Sequence, residues 1–434
     1  MLKELKFNID PDYTNINIHE LNKHFDPVIL LDSNSEFNNK TQTRYSKLIA
    51  LGTYQEFRMT KTLNIFSELQ KFYDNRNGWL FGYFTYDLKN RIENLNSNNL
   101  NLINFPELKL FSPEIVIQIN EMDLIVSFDE EITSQSIAIQ AYNMLFAAPE
   151  KDIILSSTNF ELQKKITREQ YLNSVTQLKN HIQNGDIYEI NFCHEFFAKN
   201  AEIDTVDTFT RLNEISHAPF SAYCKFSNHY LLCASPERFI QRVGNRIVSQ
   251  PIKGTIKRSQ NQIEDLQLKE KLRKDEKEKI ENIMIVDLVR NDLSKIAKRE
   301  TVKVDELCEI YSYKQVHQMV STISCEIEDK CNFVDIIRSM FPMGSMTGAP
   351  KVSAMKLIEN YESSLRGLYS GTIGYVNPEG DFDFNVIIRS ILYNQENKNL
   401  SFMVGSAITE KSDPEREYEE CLLKAKAMLE VLSY

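Results

Sequence analysis

Short runs of β-branched and aromatic residues recur along the first 110 residues, and they restrict this part of the chain to strands with few helices. Two examples are PVILLDS (27–33) and WLFGYFTYDL (79–88). These residue types are enriched in strands, and runs of this length suit strands better than helices. The Asn-rich stretch 90–101 is too polar to bury, so we interpret it as a surface loop.

Three later segments have the spacing and composition of helices. Thr167 opens the first as T-x-E-x-Y, and Gly185 ends it as a C-terminal cap. Residues 261–299 are highly charged and predict a long helix or a pair of helices, and residues 414–432 predict an amphipathic terminal helix. Strand-like runs such as LSFMVGSAI separate the last two.

The chain is longer than one ordinary domain needs, since it has 434 residues. We expect two lobes, a smaller one over residues 1–150 and a larger one over 166–434, joined by a linker at 151–165. All residues that we single out below for chemistry lie in the second lobe.

The composition argues against several partners. A formal charge of -11 provides no basic surface for a phosphate backbone, so nucleic acid is not expected. No segment reaches the roughly 18 consecutive apolar residues of a membrane helix, and the N-terminus lacks an apolar core with a small-residue cleavage site. We therefore expect a cytoplasmic protein without membrane contact. Its seven cysteines include no C-x-x-C pair and are interpreted as reduced, mostly packing thiols.

Acidic side chains on two predicted helices form the first candidate site. Glu281 shares a helical face with Ile285 and Leu288, where a bare carboxylate costs several kcal/mol, so a positive group should meet it. Glu417 and Glu420 share one face of the last helix. Hard oxygen ligands from two helices suit Mg2+ that keeps several waters. The alternative is a pair of solvated helix faces with surface ion pairs.

A second candidate is GSMTGAPKVSAMKLIE (344–359), in which glycines and small hydroxyl residues lead to Pro350 at the first position of a predicted helix. Free backbone N–H groups and the helix dipole at such a start favour an anion such as a carboxylate. The alternative is a tight turn into a packed helix. The segment lacks G-x-x-x-x-G-K-[ST], so it does not indicate a nucleoside triphosphate.

Arg389 lies in the apolar run FNVIIRSIL, which we interpret as a strand. An unpaired guanidinium is costly there, so it should meet a carboxylate of the protein or of a ligand. Tyr369 could donate its hydroxyl to the same anion, although tyrosine is as often part of a core. For Arg389 the alternative is a structural salt bridge.

Lys253, in the strand-like run IVSQPIKGTI, is a candidate nucleophile. A lysine in a partly dry site loses its proton more readily and attacks an electrophilic carbon. Glu237 in ASPERF is a candidate general acid, provided that burial raises its pKa. The alternative for Lys253 is an edge-strand lysine that only prevents aggregation, and the alternative for His317 is a satisfied core histidine.

Taken together, these segments resemble the chorismate-utilising family of anthranilate synthase component I, aminodeoxychorismate synthase component I, isochorismate synthases and salicylate synthases. The similarity begins near Thr167, and nine segments carry it in the family's order: GDIYEINF, ASPERF, PIKGT, ENIMIVDLVRNDL, VHQMVS, GSMTGAPK, RGLYSGTIGY, DFNVIIRS and GSAIT. LLDS (30–33) and RYSKLIALG (44–52) loosely resemble the N-terminal part of anthranilate synthase component I that holds a tryptophan. We do not extend the resemblance to tryptophan binding.

The resemblance implies a two-lobed α/β fold in which mostly antiparallel sheets face each other around a cleft and are wrapped in helices. It also implies that chorismate and Mg2+ bind in the cleft. By this resemblance, Glu281 and Glu420 hold Mg2+ with Glu278 and Glu417 beside them; Arg389, Tyr369 and the backbone of Gly405 and Ala407 bind the enolpyruvyl carboxylate; and Ser345, Thr347 and His317 line the site.

Two positions distinguish the reactions of this family. Water-using members place a lysine base at the position of Glu189, and anthranilate synthases read PIAGT where this chain reads PIKGT. The resemblance therefore implies amination of chorismate at C4, in 4-aminobenzoate and folate biosynthesis, with Lys253 attacking C2 and Glu237 protonating the departing C4 hydroxyl. Related aminating enzymes have glutamine at the position of Glu189, so we expect this carboxylate to alter nearby pKa values.

The source of ammonia is expected to be a separate glutamine amidotransferase subunit, because the chain contains no G-x-C-x-G glutaminase motif. Two alternatives stay open, namely anthranilate synthase component I of tryptophan biosynthesis and a non-catalytic chorismate-binding subunit. Retention of four glutamates together with Lys253 argues against the second.

Overall fold

The computed structural model describes residues 2–9, 16–34, 43–59, 64–148 and 160–433. Helices and antiparallel strands alternate through these residues, as the resemblance implies. The helices are α1 (Ile18–His24), α2 (Ile65–Asp74), α3 (Lys89–Ile92), α4 (Gln135–Leu145), α5 (Arg168–Gln183), α6 (Thr205–Ser216), α7 (Gln262–Lys274), α8 (Glu276–Ser294), α9 (Phe333–Met340), α10 (Lys351–Tyr361) and α11 (Pro414–Val431). The strands are β1 (Leu2–Asn8), β2 (Val28–Asp32), β3 (Lys47–Leu51), β4 (Gln55–Glu56), β5 (Leu80–Phe84), β6 (Leu108–Ser112), β7 (Ile115–Asn120), β8 (Asp123–Asp129), β9 (Gln163–Lys164), β10 (Glu189–Ala198), β11 (Phe220–Phe226), β12 (His229–Ser235), β13 (Arg238–Val243), β14 (Arg246–Gln250), β15 (Ile252–Lys257), β16 (Lys303–Ser312), β17 (Val316–Glu326), β18 (Gly348–Ala349), β19 (Thr372–Val376), β20 (Phe382–Asn385), β21 (Ser390–Asn394) and β22 (Asn399–Ile408).

Two large sheets contain these strands. Sheet A has the order β1-β8-β7-β3-β2-β11-β12-β21-β22-β10-β18, with β9 beside β10. Sheet B has the order β15-β17-β14-β13-β20-β19-β5-β6-β4, with β16 beside β17. Strands from the first 150 residues pair with later strands in both sheets, β2 with β11 and β5 with β19. The two expected lobes therefore share their sheets, and their division stays a prediction. Residues 151–159 of the expected linker (151–165) lie outside the described residues.

Sheet A is apolar on both faces because each face covers a different core. In β3, Leu48 and Ala50 belong to the core shared with residues of sheet B, whereas Ile49 and Leu51 belong to the core on the helix-covered side. Alternate side chains of a strand point to opposite faces, so a sheet covered on both sides needs apolar residues at every position.

The same alternation identifies which residues of β10 and β22 point between the sheets. Cys193 in β10 and Met403 in β22 belong to the core between the sheets. Glu189 is an even number of residues from Cys193, and Gly405 and Ala407 are an even number from Met403. All three therefore lie on the face of sheet A that is turned toward sheet B.

The predicted helices are confirmed. Thr167 caps α5 in a capping box, and Gly185 follows the helix with a φ of 81°. The charged segment forms the helix pair α7 and α8. Pro350 lies one position earlier than predicted, since it is the N-cap of α10 rather than its first residue. In the part of the chain that the structure describes, no helix is both long and apolar enough to cross a membrane.

Candidate active site

Two neighbouring crossings carry the chain from one sheet to the other, and each holds a functional candidate. Between β12 of sheet A and β13 of sheet B lies Glu237, and between β20 of sheet B and β21 of sheet A lies Arg389. The N–H of Val386 donates to the Glu237 carbonyl at 3.0 Å, and the N–H of Ala234 donates to the Arg389 carbonyl at 3.1 Å. The main chain therefore fixes both residues at adjacent points of the sandwich.

Glu237 is a buried carboxyl group with one strong hydrogen-bond donor. The Ser345 hydroxyl donates to its Oε1 at 2.6 Å. Burial raises the pKa of Glu237 to about 7, although this hydrogen bond and the nearby charge of Lys253 act to lower it. The carboxyl group therefore keeps its proton close to neutral pH, as a general acid requires.

Lys253 lies on β15, at an edge of sheet B, with a side chain that is 10% exposed. Its Nζ lies 3.1 Å from Oε1 of Glu189. Burial acts to lower the pKa of Lys253, but the charges of Glu189 and Glu281 outweigh burial and raise it above its ordinary value. The structure thus reverses the expectation that a dry site frees this amine of its proton, and Lys253 is held as an ammonium.

The glycine after Lys253 lets β15 approach α8 closely. Gly254 has a φ of 85°, and a Cβ built on it would lie 3.1 Å from Cβ of Glu278. A larger residue would be strained in this conformation and would also push the strand from the helix. Gly254 therefore brings Lys253 near the acidic residues of α8.

Acidic residues of α8 and α11 meet at a lysine that the sequence analysis did not single out. The Nζ of Lys277 lies 2.9 Å from Oε1 of Glu417 and 3.5 Å from Oε1 of Glu281. Both carboxylates are buried. Burial raises the pKa of Glu281 to about 8, against the opposing charges of Lys253 and Lys277. Lys277 is thus the positive group that the apolar surroundings of Glu281 require.

The other two acidic candidates have opposite pKa shifts. Burial raises the pKa of Glu278, and the negative charge of Glu420 raises it further. Burial also acts to raise the pKa of Glu420, but the ammonium of Lys424, at 2.7 Å, outweighs burial and lowers it. Lys424 also donates to the carbonyl of Gly405 at 2.9 Å, which joins α11 to β22.

The oxygen donors fit a divalent cation in type, although lysines now neutralise them. Oε1 of Glu281 and Oε2 of Glu417 are buried without a hydrogen-bond partner among the described residues. Such orphaned oxygens in dry surroundings suit a hard cation. As the described side chains are arranged, they contain no group of three or more His, Cys, Asp or Glu residues that could hold a metal ion.

Arg389 is not in a strand, contrary to our prediction. The apolar run is divided between β20 and β21, and Arg389 lies in the crossing between them with a φ of 50°. Local apolarity predicted one strand because both sheets bury this run. The guanidinium has no hydrogen bond or ion pair with any described residue, and burial lowers the pKa of Arg389. The structural salt bridge that was its alternative is therefore not present within the described residues.

The remaining candidates have partners within the protein. His317 is buried, with Nε2 3.1 Å from Asp265 and Nδ1 2.8 Å from the Ser312 hydroxyl, as a satisfied core histidine would be. The Thr347 hydroxyl donates to backbone carbonyls. The Tyr369 hydroxyl accepts from the Cys193 thiol at 3.8 Å. No hydrogen bond of the described residues joins Tyr369 or His317 to Arg389.

Ala407 and Gly405 occupy positions of β22 opposite β10, paired with Asn191 and Cys193. A Cβ at Gly405 would lie 2.4 Å from the Cys193 sulfur, so only glycine fits there. The Ala407 carbonyl accepts from the Ser412 hydroxyl at 3.3 Å. Both residues thus line the inner face of sheet A beside Glu189.

Two lysines of the cluster, Lys277 and Lys424, were missed, although the sequence contains a signal for both. Lys277 precedes Glu281 by one helical turn, and Lys424 follows Glu420 by one turn. This spacing places opposite charges side by side. The pairing of Glu189 with Lys253 has no such signal, because the two residues lie on different sheets.

A separate cavity of about 50 Å³ is lined by residues from both halves of the chain. The segments LLDS (30–33) and RYSKLIALG (44–52), which loosely resemble anthranilate synthase component I, form part of its wall. They contribute Leu31, Asp32, Ser33, Arg44 and Tyr45. None of the predicted catalytic, substrate-binding or metal-binding residues lines it.

The comparisons with known proteins agree with the sequence resemblance. The model of a family described as chorismate binding enzyme matches residues 26–430. The aminodeoxychorismate synthase component 1 of Escherichia coli (strain K12) is 33% identical over 365 residues, covering 82% of this chain and 77% of that protein. The probable aminodeoxychorismate synthase, chloroplastic, of Oryza sativa subsp. japonica is 39% identical over 285 residues, covering 64% of this chain. The chain spans only 31% of the length of that plant protein.

Solved structures show the same fold. The menaquinone-specific isochorismate synthase of Escherichia coli superposes with a TM-score of 0.76 at 17% identity, covering 100% of this chain and 95% of that chain. Anthranilate synthase component I of Streptococcus pneumoniae superposes with a TM-score of 0.74 at 22% identity, covering 98% and 92%. The expected fold of facing, mostly antiparallel sheets wrapped in helices is confirmed.

Proposed function

Because the chain belongs to the family of chorismate binding enzymes, we propose that it aminates chorismate at C4 to 4-amino-4-deoxychorismate in the space between its sheets. One observation carries the proposal. A buried amine, Lys253, lies near a carboxyl group, Glu237, that keeps its proton close to neutral pH. This pair supplies a nucleophile and a general acid, and the names of the relatives give the same reaction.

In the proposed reaction, Lys253 first passes its proton to Glu189, the carboxylate 3.1 Å away. The neutral amine attacks C2, the ring double bonds shift, and the C4–O bond breaks while Glu237 protonates the hydroxyl, which leaves as water. Ammonia then bonds to C4, the double bonds shift back, and the bond between Nζ and C2 breaks. The new ammonium gives one proton to Glu237, and Glu189 returns its proton to Lys253. Covalent catalysis thereby divides one difficult substitution into two easier ones.

Substrate binding is assigned to groups on the inner faces of the sheets. Arg389 is assigned to a carboxylate of chorismate, because its guanidinium has no carboxylate partner among the described residues and its fork matches two oxygens. Tyr369, Gly405 and Ala407 complete this part of the proposed site. Ser345 orients the general acid, and Thr347 and His317 are kept as lining residues on the resemblance.

Mg2+ is part of the proposal as a cofactor. Glu281 and Glu420 would hold it, with Glu278 and Glu417 beside them, because their oxygens are the donors that this ion prefers. When bound, the ion supplies positive charge that restrains the ring carboxylate of chorismate.

The proposal includes a partner subunit and a pathway. The name component 1 of the Escherichia coli relative implies a partner subunit. We assign this role to a glutamine amidotransferase that supplies ammonia, in the cytoplasm, for 4-aminobenzoate and folate biosynthesis.

Product analysis tests the proposal. The purified chain is incubated with chorismate, MgCl2 and ammonium chloride, and the products are separated by liquid chromatography, with a chelator control. We expect 4-amino-4-deoxychorismate, which an added lyase converts to 4-aminobenzoate. Anthranilate fluorescence without the lyase would instead identify anthranilate synthase. Chorismate that binds but is not consumed would identify a non-catalytic subunit.

A further inference from the structure

Lys277 connects the two helices that carry the acidic residues. It lies one turn before Glu281 on α8, and its Nζ contacts Oε1 of Glu417 on α11 at 2.9 Å. The side chains of Glu281 and Glu417 are 6% and 1% exposed, respectively, whereas that of Lys277 is 33% exposed. The ammonium therefore reaches inward to two buried anions from a position at the surface.

One ammonium does not satisfy both carboxylates. Oε1 of Glu281 and Oε2 of Glu417 have no hydrogen-bond partner among the described residues, although both are buried. The ammonium thus leaves two buried carboxylate oxygens without a hydrogen bond, which favours a cation that binds several oxygen ligands at once.

We infer that Lys277 is an internal counter-ion, whose ammonium occupies the space between Glu281 and Glu417 until a divalent cation displaces it toward solvent. This inference rests on the proposed magnesium site. Two cations cannot share these oxygens without strong repulsion, so binding of one requires movement of the other. The flexible four-carbon stem of lysine and its partly exposed position allow that movement.

Displacement has a consequence for cofactor affinity. A site that binds Mg2+ only when the lysine has moved away has a lower apparent affinity for the ion. The affinity is reduced in proportion to the fraction of molecules in which the lysine has left the site. Lys277 then sets the Mg2+ concentration at which the site fills, without being a ligand. If Lys277 instead only held the two helices together, its removal would have the opposite effect. Loss of a bridge that positions the glutamates would weaken Mg2+ binding.

Magnesium titration calorimetry on the full chain tests the inference, with MgCl2 as the only titrant. Lys277→Met should bind Mg2+ about tenfold or more tightly than wild type, because the competing ammonium is gone. Without Mg2+ its melting temperature should be lower, and Mg2+ should raise that temperature more than in wild type. Lys279→Met is the matched control, since Lys279 lies on the same helix and forms no ion pair with a described residue; it should resemble wild type.

If wild type binds Mg2+ and Lys277→Met binds it equally or more weakly, this inference is overturned. The magnesium proposal would still stand. Absence of Mg2+ binding in both proteins would overturn the magnesium proposal as well. A second measurement needs no variant. In wild type, Mg2+ should increase the rate at which an amine-reactive reagent modifies Lys277, read by peptide mass spectrometry, and an unchanged or reduced rate would also overturn the inference.

Discussion

Two arginines near the cleft differ in how the protein satisfies them. Arg366 is buried and donates to both carboxylate oxygens of Glu362, at 2.9 and 2.5 Å, and to the carbonyls of Met346 and Asn191. Arg389 carries the same charge, but its guanidinium has no carboxylate or carbonyl partner among the described residues. The difference indicates that Arg366 holds the scaffold together, whereas Arg389 is available to a ligand.

The carboxylates divide in the same way. Glu362 accepts from Arg366 and from the N–H of Cys193 at 2.9 Å. In contrast, Glu189, Glu281 and Glu417 each have a buried oxygen without a hydrogen-bond partner among the described residues. A buried polar group that a native structure leaves unsatisfied is costly and calls for an explanation. These three glutamates lie beside Lys253 or Lys277, in the region that we assign to chorismate and Mg2+.

The largest effect is expected from Arg366→Met. The substitution leaves Glu362 buried without its charge partner, and breaking a buried ion pair in this way costs about 3–5 kcal/mol of unfolding free energy. Urea unfolding followed by circular dichroism measures this. A loss below about 1 kcal/mol would show that the pair does not hold the scaffold.

Arg389→Met should have a smaller effect of a different kind. Its unfolding free energy should change by less than about 1 kcal/mol, because no protein partner is lost. Its dissociation constant for chorismate should rise about 10–100-fold, which corresponds to charged hydrogen bonds of about 1.5–3 kcal/mol. Calorimetric titration with chorismate checks both arginine variants side by side. Unchanged affinity in Arg389→Met would remove Arg389 from the proposed site.

The smallest expected effect is a change of kcat/KM with pH, by about tenfold per pH unit. Because the pKa of Glu237 is raised to about 7, its proton is present below that pH and is lost as pH rises through it. In the proposed reaction Lys253 passes its proton within the protein to Glu189, so this transfer should add no pH dependence. Values of kcat/KM should therefore fall above pH 7. A flat profile there would show that the proton of Lys253 leaves to solvent instead.

Local signals predicted the helices well. Thr167 opens α5 because its side chain accepts from the N–H of Gln170 in the first turn, a bond that depends only on neighbouring residues. The need of Glu281 for a positive partner also followed from its own helix, and Lys277 on that helix provides it.

Nonlocal features could not be predicted in this way. Arg389 was expected within a strand because an apolar run does not reveal where the chain leaves one sheet for the other. Burial of Lys253 suggested a neutral amine, but the sign of its pKa shift depends on Glu189 of the other sheet. Only the packing of the two sheets brings these charges together.

A covalent bond between Lys253 and the ring of chorismate is the central step of the proposed reaction. Wild type is mixed with chorismate and Mg2+ without ammonia, quenched rapidly with acid, digested and examined by mass spectrometry. We predict a peptide containing Lys253 that gains the mass of chorismate less one water, and no such peptide from Lys253→Ala, which should still bind chorismate. Normal amination of chorismate by Lys253→Ala would contradict the account.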